Sequence, residues 1–160
     1  MAVRCYVRRA RARLRTVEEE MTGQPYVPPK FPISIKGVVL DPRGRVLLLK
    51  NERAEWELPG GKLEGPETPE ERVETEIREE CGWTATAGPL LDVWMYEPLP
   101  GRQVFIVTYG CTAADAHQPP VVSHEHKEAG LFTRDEVPGL VMPQGYKDSI
   151  ARWYELQGRA

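Results

Sequence analysis

No run in this 160-residue chain is apolar for long enough to cross a bilayer, and the N-terminus lacks the apolar segment of a secretory signal. Cysteine is scarce as well. Cys5, Cys81 and Cys111 are odd in number, far apart and free of any Cys-x-x-Cys, which excludes a disulfide framework and a thiolate zinc site and points to a reducing cytoplasm. A formal net charge of −3 argues against a dedicated nucleic-acid binder, because such proteins usually carry a broad basic face. The length suits a single globular domain with a core able to stand alone, and a second full domain would not fit.

The N-terminus is locally unlike the rest. "MAVRCYVRRARARLR" holds six arginines and no acid, a composition that a mitochondrial presequence also shows. Yet Val3, Val7, Ala10, Leu14, Val17 and Met21 recur at alternating spacings of four and three and give a helix one apolar stripe. That stripe suits packing on the chain's own domain or on a second subunit in a homodimer. "TGQPYVPPKFP" then reads as an extended linker. Residues 1–32 are therefore expected to be an N-terminal helix and proline-rich linker, and 33–160 the folded domain.

Within that domain "SIKGVVLD" and "RVLLLK" are β-rich runs around Asp41-Pro42-Arg43-Gly44, a turn sequence that predicts a hairpin. "WELPGG" ends a short strand in a glycine pair. Thr68-Pro69-Glu70-Glu71 carries a capping box that starts a helix at Pro69, and Gly82 stops it as a left-handed cap. "LLDVWMY", "QVFIVTYGC" and "EAGLF" read as further strands, and "GYKDSIARWYEL" as a closing helix with Tyr146, Ile150 and Trp153 on one face. The fold class expected is α/β, a mixed β-sheet with helices on both faces.

Between Gly60 and Trp83 the chain gathers Glu64, Glu67, Glu70, Glu71, Glu74, Glu76, Glu79 and Glu80 against Lys62, Arg72 and Arg78. On a helical wheel Val73, Ile77 and Cys81 define the buried face, and Glu80 falls about 20° from Val73, inside its edge. Glu76 and Glu79 follow on the same flank with Arg72 between them. Glu71 and Glu74 lie on the other flank, where they read as solvated decoration. An ion drawn toward the interior without a partner costs several kcal/mol, so Glu80 needs a compensating cation. Carboxylates at i, i+3 and i+4 converge well enough for magnesium or manganese; a salt-bridged helix edge built on Arg72 is the alternative.

The segment resembles the Nudix box, G-x5-E-x7-R-E-U-x-E-E-x-G-U with U a bulky apolar residue. Gly61, Glu67, Glu76, Ile77, Glu79, Glu80, Gly82 and Trp83 match, whereas Thr75 stands where the box has arginine. The resemblance implies the α/β/α sandwich of that family from about Ile33 onward. It also implies Mg²⁺- or Mn²⁺-dependent hydrolysis of a pyrophosphate bond in a nucleoside diphosphate linked to another moiety, the substrate being a nucleotide sugar, an ADP-ribose-like compound or a nucleoside triphosphate. Glu76 and Glu80 then become the principal metal ligands, and Glu79 a third ligand or the group that orients water. Glu67 supports them, and Gly60 and Gly61 let the backbone approach metal or phosphate closely.

A further carboxylate from a late loop is also implied, and "SHEHKE" offers Glu125 ahead of Glu128. His124 and His126 read as solvated loop residues, because two histidines are too few for zinc. Arg72 or Arg78 is expected to stand in for the arginine that Thr75 replaces. Because of Thr75, a domain that binds a nucleotide derivative as a sensor without cleaving it is the alternative to a hydrolase. Pro98 and Pro100 read as an ordinary turn, and Trp56, Trp94, Tyr96 and Phe105 as core aromatics rather than base-stacking platforms.

Overall fold

Strand β1 (Ile33–Val39) is buried along both faces and bounded on both edges. The computed structural model describes residues 26–158, so the helix expected over Val3 to Met21 lies outside the described residues. All regular secondary structure of the described residues falls within the unit Phe31–Ala160. The order after β1 is β2 (Val46–Lys50), β3 (Trp56–Glu57), helix α1 (Pro69–Cys81), β4 (Ala85–Leu99), β5 (Arg102–Ala113), β6 (Glu128–Phe132) and helix α2 (Gln144–Leu156). The expected α/β class with a mixed sheet is present. The six strands divide into two sheets, β1-β5-β4 and β3-β2-β6. β1 runs parallel to β5 and β4 antiparallel to it, while the second sheet is antiparallel throughout.

The hairpin expected for β1 and β2 does not form. What pairs is the base of the turn alone, through an isolated Leu40–Val46 bridge and Asp41 N–H to Arg45 O at 2.8 Å. β5 holds one edge of β1, and the segment Pro59–Leu63 holds the other through Ile35 N–H to Gly61 O at 2.8 Å, Gly37 N–H to Pro59 O at 2.9 Å and Leu63 N–H to Ile33 O at 2.9 Å. With no free edge for β2, the turn becomes a corner between the two sheets. Asp41 fixes it by accepting from the amides of Arg43 and Arg45 and from the Arg45 guanidinium.

Both sheets lie between the helices, which explains why β1 and β2 carry apolar residues on both faces. Ile35, Val39, Leu47 and Leu49 pack with Val73, Ile77 and Cys81 of α1. Their neighbours Val38, Val46 and Leu48 pack with Tyr146, Ile150 and Trp153 of α2. A shift of either strand by one residue would exchange the two cores. The capping box forms in both directions, with Thr68 Oγ1 accepting from Glu71 N–H at 3.2 Å and Glu71 Oε2 accepting from Thr68 N–H at 2.9 Å. Thr68→Ala is expected to cost about 1 kcal/mol in urea denaturation without changing the fold. Gly82 adopts φ 74° and closes α1 as expected. Glu74 is more than decoration, because its carboxylate accepts from the Ala87 amide at 2.8 Å and ties α1 to β4.

Candidate functional site

Helix α1 lays Val73, Ile77 and Cys81 on the core, so the side chains one position before the last two are carried to the edge of that interface. Glu76 and Glu80 are consequently 7% and 5% exposed. Facing them is the turn Pro59–Gly61 that borders β1. Gly60 N–H donates to Glu80 Oε2 at 2.8 Å. Gly60 has φ 136°, and a Cβ there would overlap the Ile35 carbonyl; a Cβ on Gly61 would overlap Glu76 Oε1. Only glycine permits this approach of backbone to carboxylate.

Arg72, Lys36 and His126 close the arrangement from three elements. Arg72 pairs with Glu76 one turn along α1 and lies 3.7 Å from Glu67, whose carboxylate also accepts from the Glu64 amide. From β1, Lys36 reaches the Gly60 carbonyl with its Nζ at 2.7 Å, although the residue is buried. His126 sits with Nε2 3.3 Å from Glu57 Oε1 and 3.7 Å from Glu80 Oε1. Its loop is pinned to the end of α1 through Val121 N–H to Cys81 O and Ser123 N–H to Glu80 O.

Charge and burial compete visibly here. Burial pushes Glu80 up to about 7, against Lys36, the Gly60 amide and His126, which favour its ionised form. Glu76 is raised as well, first by burial and then by Glu79 and Glu125, despite Arg72 and Lys36. For Glu57 burial acts in the same direction, but Lys36, His126 and Asn51 outweigh it and hold the carboxyl at about 2. His126 is raised by its hydrogen bond to Glu57. Lys36 is raised too, since Glu57, Tyr146, Glu80 and Glu76 overcome its burial.

The residues expected from sequence are thus distributed unequally. Glu76, Glu80, Gly60, Gly61, Arg72 and Glu67 form one connected cluster. Glu79 is exposed on α1, and Glu125 is exposed in its loop but close enough for its charge to act on Glu76. Glu128 pairs with Lys50 on β6 instead. Arg78 is exposed, and Arg72 is the helix arginine that meets Glu76. His124 is solvated as expected, its side chain 93% exposed. His126 is not. The expectation for it fails because the loop folds back over α1 and brings its ring between Glu57 and Glu80. Trp56 packs edge-on against Phe132 and Trp94 against Tyr146, and Pro98 and Pro100 belong to the β4–β5 hairpin and its turn.

Among the described residues no three acidic, histidine or cysteine side chains already stand in a coordination geometry. The donors nevertheless suit a hard divalent cation: they are oxygens only, two are buried one turn apart, and at both of them burial outweighs the neighbouring cations and raises the pKa.

A family model described as NUDIX domain matches residues 30–156. The chain belongs to the Nudix family. A MutT-like protein of Streptomyces ambofaciens is 41% identical over 111 residues, 69% of this chain and 69% of that protein. An 8-oxo-dGTP diphosphatase of Proteus vulgaris is 38% identical over 81 residues, 45% of this chain and 71% of its own length. A solved MutT protein of Methanosarcina mazei Go1 shares the fold with a TM-score of 0.69 at 23% identity, over 82% of this chain and 99% of that one. The Nudix resemblance and the hydrolase class expected from the box are therefore both found.

Sequence reasoning missed Lys36, Glu57 and His126 in this Nudix site. Lys36 left one signal, a charge inside a strand that is mostly apolar on both faces. Glu57 left none, because a two-residue strand has no period to read, and the folding of the His126 loop onto α1 is a long-range event.

Proposed function

We propose that this chain is a Mg²⁺-dependent pyrophosphohydrolase, with Mn²⁺ as an alternative ion, acting in the cytoplasm on a nucleoside diphosphate linked to another moiety. The observation that carries the reading is the Glu76–Glu80 pair held at the edge of the core against Gly60 and Gly61. Of the three substrate classes, the nucleoside triphosphates are favoured by the diphosphatase relative; nucleotide sugars and ADP-ribose-like compounds remain in the test.

Glu76 and Glu80, with Glu79, would hold the ion, which supplies charge neutralisation to the phosphate oxygens and acidifies water. Arg72 and Glu67 fix the Glu76 carboxylate, and the Gly60 amide fixes that of Glu80. Glu79, on the exposed side of the cluster, orients the attacking water and takes its proton as the new P–O bond forms and the bridging P–O bond breaks. Glu125 adds a further carboxylate from its pinned loop.

The test is a panel of 8-oxo-dGTP, dGTP, ADP-ribose and UDP-sugars incubated with Mg²⁺ or with EDTA, the products separated by ion-exchange chromatography. Cleavage with Mg²⁺, and at least about 10³-fold less with EDTA, is expected. Thr75 motivates the second reading, a nucleotide sensor, which binding of a panel member without turnover would establish in place of the hydrolase.

A further inference from the structure

Lys36 is a lysine in a strand whose two faces are both core, and only 6% of it is exposed. An unpaired ammonium there would be strongly disfavoured. Its Nζ donates to the Gly60 carbonyl at 2.7 Å while the Gly60 N–H donates to Glu80 Oε2 at 2.8 Å. One residue therefore stands between a cation and a carboxylate: the carbonyl of the Gly60–Gly61 peptide accepts from Lys36, and the N–H of the preceding Pro59–Gly60 peptide donates to Glu80. The charges of Glu57, Glu80 and Glu76 act on the ammonium without any of them closing to a direct ion pair among the described residues, and the Tyr146 hydroxyl acts in the same sense. Helix α1 does not supply an equivalent charge. Arg72 is committed to Glu76 and Glu67, Arg78 is exposed, and position 75 is a threonine.

We propose that Lys36 is a positioning residue, an internal cation that assembles Glu57, Glu80 and the Gly60–Gly61 turn before any metal arrives. The inference rests on the hydrolase reading, because it concerns the carboxylates that reading uses. An ammonium fixed beside these carboxylates keeps them gathered in the metal-free protein. It also competes with an incoming divalent ion for the same negative charge. Assembly of the empty site and affinity for the ion are therefore set against each other.

Lys36→Met separates charge from packing, since methionine keeps a flexible stem of similar length and discards the ammonium. Thermal melts without metal should show a lower Tm than the parent, and Mg²⁺ should restore more stability to the variant than it adds to the parent. Calorimetry should show Mn²⁺ binding at least about threefold tighter, the fixed positive charge being gone. At saturating Mg²⁺, kcat should fall about 10- to 100-fold with KM within about threefold of the parent. Unchanged metal-free stability and Mn²⁺ affinity, or an unchanged kcat, would overturn the assignment and leave Lys36 as packing.

Should Lys36→Met fail to fold, Lys36→Met/Glu57→Gln removes the carboxylate along with its cation. Recovery of folding with kcat still low supports the proposal; an unfolded double variant refutes it, because the stem and not the charge would then be at fault. A parent protein inactive on the whole panel would defeat the hydrolase reading, and the melting and calorimetric results would still decide the role of Lys36.

Discussion

Glu80→Gln is expected to lower kcat by about 10²- to 10³-fold while leaving the metal-free protein at least as stable as the parent. Both halves follow from the same burial. Glu80 is 5% exposed, and its carboxyl is pushed up to about 7, so its negative charge is disfavoured in the folded protein without a metal. Glutamine retains the shape and an oxygen to accept from Gly60 N–H at the place where Glu80 now does so. It removes the charge that an ion would share. Mg²⁺ should then raise the Tm of the parent and have little effect on the variant. Melting curves with and without Mg²⁺, set beside single-turnover rates, check this. A variant that lost stability and activity together would show that Glu80 is a structural residue.

Gly60→Ala is expected to be severely destabilising, costing about 3 kcal/mol or more in denaturant unfolding. The residue sits at φ 136°, and the new methyl would overlap the carbonyl of Ile35, a fully buried residue of β1. Neither partner can yield easily. The two peptides that flank the Gly60 Cα are held by Glu80 and Lys36 respectively, and the amides of Ile35 and Gly37 bind the neighbouring Gly61 and Pro59 carbonyls. Gly61→Ala provides the contrast. Its Cβ would meet the Glu76 side chain, which is able to move, so this variant should keep most of its stability and lose turnover instead. Equal stability losses for the two alanine variants would mean that the turn is held less rigidly than its hydrogen bonds indicate.

The parts of the fold that were legible in the sequence are those fixed by short-range rules. Thr68, Glu71 and Gly82 mark the ends of α1 because caps act within one turn, and the wheel placed Glu80 at the core edge because helical period relates every residue to its neighbours. Arg72 was identifiable as the partner of Glu76 for the same reason. What failed depended on which edges meet. The β1–β2 hairpin was a sound reading of Asp41–Gly44, yet β5 and the Pro59–Leu63 segment occupy both edges of β1 and turn that hairpin into a corner. Lys36, Glu57 and His126 enter the site from three separate elements, and no local pattern joins them.

On the proposed function, Glu76 and Glu80 are tolerated at the edge of the core because a divalent ion shares their charge. Isothermal titration of Mg²⁺ and Mn²⁺ into the protein, with Glu76→Gln and Glu80→Gln beside it, tests this most directly. Binding by the parent, weakened at least about tenfold in each variant, is the predicted result. No uptake of either ion with or without nucleotide, together with full turnover by both variants, would contradict it.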